Sequence, residues 1–199
     1  MKRAVLYVDA RGADVYYSAP GNIAVGPEKT GTVVVWAFAT SLTPGQKQAN
    51  RILRVVADPA NEQRSALHNE HFYGWAVYSG AGGRTFVAPP DYAGPTTATG
   101  RCGWQMLACS WDFAAGQMRV FVNDSYDSGW VECGAPSADA MRIYVGPQAG
   151  GGRAEPVYVQ YIAAWSGKLT AVQVQKLYRE GPRYIPSAED GAGALTFLA

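Results

Sequence analysis

Short stretches in which apolar and polar residues alternate recur along most of this chain. A period of two is typical of β-strands, whose successive side chains point to opposite faces of a sheet. Gly, Pro, Asn and Asp separate many of these stretches, as the turns between short antiparallel strands require. The pattern predicts strands at residues 4–8, 15–17, 33–38, 52–57, 75–78, 85–88, 104–111, 118–122, 141–145 and 157–165.

One segment near the C-terminus follows a helical pattern instead. Thr170 and Gln173 match the T-x-x-Q capping box, in which each residue satisfies a backbone N–H group of the other. Val174 and Leu177 begin an apolar stripe that needs an apolar surface to cover. Gly181 ends the helix. This helix is therefore expected to be architectural.

Composition agrees with a sheet-rich fold. Only 17% of the 199 residues are charged, below the usual value of about 25%, while 23 Gly and 12 Pro supply turns. The sequence predicts an all-β fold, an antiparallel two-sheet sandwich with one short C-terminal helix. Residues 1–181 form its single domain, and residues 182–199 form a tail without a core of its own.

Charge gives no sign of a nucleic-acid or membrane partner. The formal net charge is +1, and Lys2-Arg3 is the sole basic cluster. The apolar run that follows stops at Asp9, too early for the core of a signal peptide, so we expect synthesis in the cytoplasm without a signal peptide. Cys102, Cys109 and Cys133 are an odd number, which favours free thiols over a disulfide framework.

Candidate catalytic and metal-binding residues are few. No Glu begins the E-x-D-x-x-E strand of glucan hydrolases, so we expect a protein that is not an enzyme. His68 and His71 are too few for a usual zinc site, and a solvated loop is the simpler interpretation. We expect no metal and no cofactor.

Two short motifs indicate a hairpin. Asn123-Asp124-Ser125 matches an N-glycosylation sequon, but its residue types are also those of a turn between strand arms at 118–122 and 126–131. Residues 125–130, Ser-Tyr-Asp-Ser-Gly-Trp, partly resemble the sialidase Asp-box but lack its Thr. We interpret both motifs as hairpin structure.

Aromatic residues beside loops are the better candidates for ligand binding. Tyr73, Trp75 and Tyr92 flank loop segments, where a ring next to hydrogen-bonding groups can stack on a sugar or another flat apolar face. The alternative for each of them is packing in the core.

The second half of the chain resembles the LamG-like domains of the concanavalin A-like jelly-roll superfamily. A Trp-headed strand ending in Trp-Asp, a Gly-containing turn, and a strand ending in Val-Asn are matched by Trp104, Trp111, Asp112, Gly116, Val122 and Asn123. Leu169 and Thr170 match the cap that follows the family's final strand. The resemblance implies a jelly roll, with the helix packed at one edge or end. The family's Ile-Asp-Glu is replaced by Val159-Gln160-Tyr161, which argues against a structural calcium site.

The resemblance also guides the functional expectation. Single-domain LamG-like proteins occur among bacteriophage structural genes, so the leading hypothesis is a virion surface (decoration) or tail-associated protein, with other virion, capsid or tail proteins as partners and a possible homo-oligomer. The alternative is a carbohydrate-binding, lectin-like module with glycans as partners. The tail residues Leu195, Phe197 and Leu198 are expected to dock, either on their own sandwich or on a neighbouring subunit.

Overall fold

The computed structural model describes residues 6–8, 15–18, 30–39, 53–56, 66–70, 74–78, 83–90, 103–136, 142–145, 157–181, 184, 186 and 195–197. Its strands are β1 Leu6–Val8, β2 Val15–Ser18, β3 Thr30–Ala39, β4 Leu53–Val56, β5 Ala66–Glu70, β6 Gly74–Tyr78, β7 Arg84–Val87, β8 Gly103–Asp112, β9 Gln117–Val122, β10 Tyr126–Asp127, β11 Val131–Glu132, β12 Arg142–Val145, β13 Val157–Trp165 and β14 Leu195–Phe197. The helix α1 spans Ala171–Glu180.

These strands form two antiparallel sheets. One has the order β1, β13, β3, β8, β9, β10, with β11 as a second partner of β9 and β14 as a second partner of β13. The other has the order β2, β12, β4, β5, β6, β7. The chain passes repeatedly from one sheet to the other, as in a jelly roll. The predicted all-β, antiparallel two-sheet sandwich with one short C-terminal helix is confirmed.

The main core lies between the sheets and follows the alternation along β8. Leu107, Cys109 and Trp111 are buried together with residues of both sheets, such as Trp75. The intervening residue Met106 instead belongs to a second cluster on the opposite face of the same sheet. Alternate residues of β8 thus lie on opposite faces of the sheet, as the period of two predicts.

The helix covers that opposite face. Val174 and Leu177 are buried there with Met106 and Phe121, which point outward from β8 and β9. The resemblance placed the helix at an edge or end of the sandwich; it lies on a face because this face of the larger sheet is itself apolar. The described part of the chain has no helix with the length and apolar character that a membrane crossing needs.

Two strands were not predicted. The stretch that includes His68 was assigned to a loop, but β5 pairs with β4 on one side and β6 on the other, so its backbone is held by sheet hydrogen bonds. The tail contributes β14, which pairs antiparallel with the end of β13, Ala163 opposite Phe197. The backbone of the tail therefore docks on its own sandwich; Leu198 lies outside the described residues.

Candidate ligand-binding surface around Trp130

The structure changes which aromatic residues are candidates for ligand binding. Tyr73 and Tyr92 lie outside the described residues, and Trp75 is 0% exposed, so its ring takes the core-packing alternative. Among the described residues, the exposed tryptophans are Trp104, at 37%, and Trp130, at 38%. Trp104 packs edge-on against a neighbouring ring, whereas the ring of Trp130 lies beside the charged side chain of Lys168. Trp130 is therefore the stronger candidate for polar ligand recognition.

A β-bulge interrupts the strand arm just before Trp130. Asp127 lies opposite Phe121, and Val131 lies opposite Met118. Between these two pairs, the arm that carries Trp130 has one residue more than β9. The extra residue is accommodated at Gly129, whose φ is 66°. Bulges of this kind bend a strand and redirect a side chain. Here the bulge directly precedes the exposed indole.

The carboxylate of Asp127 fixes the shape of the bulge. Its Oδ1 accepts hydrogen bonds from Gly129 N at 2.9 Å and from Arg119 Nε at 2.7 Å. Its Oδ2 accepts from Arg119 Nη2 at 2.5 Å, which completes a two-point contact. The guanidinium of Arg119 also lies over the ring of Phe121, 5.2 Å from the ring centre. Two-point Arg–carboxylate contacts restrict orientation more than single ones, so the support under Trp130 is rigid.

A second ion pair flanks the indole. Lys168 Nζ lies 5.7 Å from the centre of the Trp130 ring and 2.5 Å from Asp112 Oδ2. The other oxygen of Asp112 accepts a hydrogen bond from Ala115 N at 3.1 Å, in the turn between β8 and β9. The ammonium group therefore joins the ring of Trp130 to the end of β8.

Buried hydroxyl groups hold the loop that carries Lys168. Thr32 Oγ1 donates to Gly167 O at 3.1 Å and accepts from Leu169 N at 2.9 Å. It also shares a hydrogen bond of 2.8 Å with Ser110 Oγ. Two strands, β3 and β8, and the loop before α1 thus meet at one buried oxygen, which positions Lys168 from both sides.

Both carboxylates of the surface are charged at neutral pH. The hydrogen bond from Lys168 lowers the pKa of Asp112, and the hydrogen bonds from Arg119 lower the pKa of Asp127. A lowered pKa means that the ionised form is favoured by its donors over the neutral form. Each carboxylate therefore presents acceptor oxygens and no proton.

We call Asp112, Arg119, Asp127, Trp130 and Lys168 the Trp130 surface. It combines an exposed aromatic ring with carboxylate oxygens whose positions are fixed by ion pairs. Such a set can stack against a flat apolar face and accept hydrogen bonds from hydroxyl groups beside it. Within the described residues, no group of three or more His, Cys, Asp or Glu side chains could hold a metal ion. The side chain of His68 and the whole of His71 lie outside the described part.

Comparison with known proteins supports the fold. No protein-family description matches the sequence, and no curated protein matches it. Among solved structures, the chain is similar to the ligand-binding domain of botulinum neurotoxin serotype D in complex with N-acetylneuraminic acid (TM-score 0.64, 11% identity, covering 89% of this chain and 42% of that one). It is also similar to the receptor-binding domain of the C/D mosaic neurotoxin (TM-score 0.65, 9% identity, 89% and 42%) and to the serotype G binding domain (0.57, 11%, 89% and 45%).

The chain spans less than half the length of these toxin domains. At such low identity the similarity is one of fold. The β-sandwich fold shared with these domains agrees with the jelly-roll architecture that the resemblance implies.

Sequence reasoning missed Trp130 because it treated residues 125–130 as hairpin structure alone. An Asp followed two residues later by Gly inside a strand arm is the available signal for a bulge, and a Trp after that Gly is a candidate for exposure. The contribution of Lys168 had no local signal, since its partner Asp112 lies 56 residues away in the chain.

Proposed function

We propose that this chain is a non-catalytic binding module that recognises carbohydrate at the Trp130 surface. The observation that carries the proposal is the exposed Trp130 ring, which follows a bulge fixed by Asp127 and lies beside the Lys168–Asp112 ion pair. We also propose that the chain is a member of the LamG-like family.

The arrangement suits a sugar better than a purely apolar ligand. One face of a pyranose ring exposes C–H groups that pack on an indole, while the hydroxyl groups at its rim need acceptors. Asp112 and Asp127 supply acceptors whose geometry is already set before a ligand arrives. Preorganised groups lose little conformational entropy on binding.

The same carboxylates argue for binding without hydrolysis. A glycosidase needs one carboxyl group with a raised pKa to act as the acid, next to a second that stays ionised. In this surface the pKa values of Asp112 and Asp127 are both lowered by their cationic partners. This supports a protein that is not an enzyme.

A place on a virion, as a surface or tail-associated protein, is compatible with this function. Such a protein contacts cell or particle surfaces, where glycans are abundant, so the two hypotheses from the sequence combine in one molecule. Detection of the protein by mass spectrometry in purified particles is the direct test of this location. Its absence from every particle fraction would contradict the virion part of the proposal and leave glycan binding untouched.

The central test is a glycan array probed with the recombinant chain and three variants. Trp130→Ala is expected to lose about fivefold or more in binding, since the stacking of a nucleic-acid base on an aromatic side chain, a related contact, is worth about 1–3 kcal/mol. Trp130→Phe should retain part of the binding because it keeps a ring. Trp104→Ala is the matched control, because that indole is equally exposed but remote from the two ion pairs.

Loss of binding in Trp130→Ala with retention in Trp104→Ala supports the site. Equal losses in the two variants, with unchanged melting temperatures, would contradict it. No binding to any glycan by the parent chain would contradict the carbohydrate function itself.

A further inference from the structure

Together with the neighbouring residue Glu132, the Trp130 surface has one more carboxylate than it has cations. Asp112 lies opposite Gln117 in β9, and Gln117 lies opposite Glu132 in β11, so all three side chains occupy one row on the same face of the sheet. Glu132 is exposed in that row. Asp112, Asp127 and Glu132 are thus three carboxylates around two cations, Arg119 and Lys168.

Both cations are already engaged by these carboxylates. Arg119 is held at two points by Asp127, and Lys168 by Asp112. An acidic ligand would have to displace a resident carboxylate to reach either cation, and would then lie beside that displaced negative charge. Like charges at such short range oppose binding, and this is a common means of rejecting a wrong partner.

The carboxylate oxygens, in contrast, can still accept hydrogen bonds from hydroxyl groups. An ionised carboxylate has about four lone-pair sites, and Asp112 accepts from Ala115 N on one oxygen and from Lys168 Nζ on the other, with the Ala114 amide as a further donor. A hydroxyl group of an uncharged sugar can therefore donate to an Asp112 oxygen without breaking the ion pair. The surface needs no rearrangement for such a ligand.

From this excess of acceptors we infer that the Trp130 surface selects neutral sugars, with a pyranose face on Trp130 and neighbouring hydroxyl groups donated to carboxylate oxygens, and that it rejects sugars bearing a carboxylate or sulfate. The inference rests on the proposed carbohydrate function and goes one step beyond it. It also separates this chain from the serotype D toxin domain, whose structure contains the acidic sugar N-acetylneuraminic acid.

The test compares matched neutral and acidic glycans. Isothermal titration with lactose and with 3′-sialyllactose, and arrays that pair neutral oligosaccharides with their sialylated, sulfated and uronic-acid counterparts, measure the preference directly. We expect the neutral member of each bound pair to be preferred at least about tenfold. Its affinity should change less than about twofold between low and physiological salt, because no net charge is neutralised on binding.

Asp112→Asn provides the informative variant. Asparagine retains an oxygen acceptor for Ala115 N but removes the charge that neutralises Lys168. The variant is expected to gain affinity for acidic glycans, so that the ratio of neutral to acidic affinity falls severalfold. Its circular dichroism spectrum should be unchanged. An Asp112→Asn variant that keeps the full neutral preference would contradict the charge argument.

The possible failures are distinguishable. If the parent chain binds acidic glycans as well as neutral ones and Trp130→Ala abolishes both, the neutral preference is wrong while the proposed function stands. If no glycan of either class binds in a Trp130-dependent manner, the proposed function fails together with the inference.

Discussion

The six-membered part of the Trp111 indole lies over Gly31, the residue directly opposite it in the adjacent strand. A Cβ atom at position 31 would stand under 3.0 Å from three atoms of that ring. Glycine is thus required by the close approach of the ring, and not by a turn. The pair fixes the position of a fully buried tryptophan at the end of the core that leads into Asp112.

Gly31→Ala is therefore expected to destabilise the fold, although alanine is usually the better residue in a strand. Overpacking a rigid core typically costs about 1–3 kcal/mol. Urea unfolding measures the loss. In a Trp111→Leu background the same substitution should cost less than about 0.5 kcal/mol, because the clashing ring is gone. Equal costs in both backgrounds would show that the ring is not the cause.

The capping box gives a second prediction. Thr170 Oγ1 accepts a hydrogen bond from Gln173 N at 3.3 Å, and Gln173 Oε1 accepts from Thr170 N at 2.7 Å. Thr170→Ala should lower the free energy of unfolding by about 1 kcal/mol, whereas Thr170→Ser keeps the acceptor and should be nearly silent. Similar losses in the two variants would mean that the hydroxyl group does not stabilise the helix.

Local patterns were sufficient for much of the fold. The alternation of β8 predicted which residues face the core, and Thr170 and Gln173 predicted where α1 begins. In both cases neighbouring residues in the sequence determine the structure. Strand β5 escaped prediction because its sequence, Ala-Leu-His-Asn-Glu, has no alternation of apolar and polar residues, so its pairing with two flanking strands defines it.

The candidate site was less accessible to prediction. Trp130 depends on a bulge that shifts the register between two strand arms, and the ion pair of Lys168 with Asp112 depends on the folding of a distant loop onto β8. The residues singled out from the sequence were aromatic positions near loops. Trp75 shows why that criterion fails, since β6 carries it into the core.

Thr32 should control both stability and the position of Lys168. Thr32→Val retains the shape of the side chain but leaves the amide of Leu169 without its acceptor, and an unsatisfied buried group costs about 1–3 kcal/mol. Hydrogen exchange at the Leu169 amide should accelerate in the variant. Thr30→Val is the control, because Thr30 Oγ1 makes one hydrogen bond to the loop, to Ser166 O. An unchanged exchange rate at Leu169 in Thr32→Val would contradict this role.

The thiols are predicted to be unreactive in the folded protein. Cys109 and Cys133 are both free; burial raises the pKa of Cys109, and it raises the pKa of Cys133 to about 11. At pH 8 only about one Cys133 thiol in a thousand is then the reactive thiolate. In a Cys102→Ser variant, a disulfide reagent should label Cys109 and Cys133 more slowly in the folded protein than in the protein unfolded in urea. The rate of labelling of Cys133 should rise tenfold per pH unit up to about pH 10. Fast labelling of the folded protein at pH 7 would contradict the burial.

The ion pair beneath Trp130 predicts how stability changes in acid. Arg119 lowers the pKa of Asp127 below its usual value of 3.8, so the folded state binds that proton less readily than the unfolded chain does. The resulting stabilisation is present above the unfolded pKa and is lost as the pH falls from there through the lower folded pKa. The urea midpoint of the parent chain should therefore fall more steeply across this window than that of Asp127→Asn, which has no carboxyl group to titrate at that position. Asp112→Asn should flatten the curve in the same direction, since Lys168 lowers the pKa of Asp112. Parallel curves for the parent chain and Asp127→Asn would show that the contact of Asp127 with Arg119 does not couple protonation to folding.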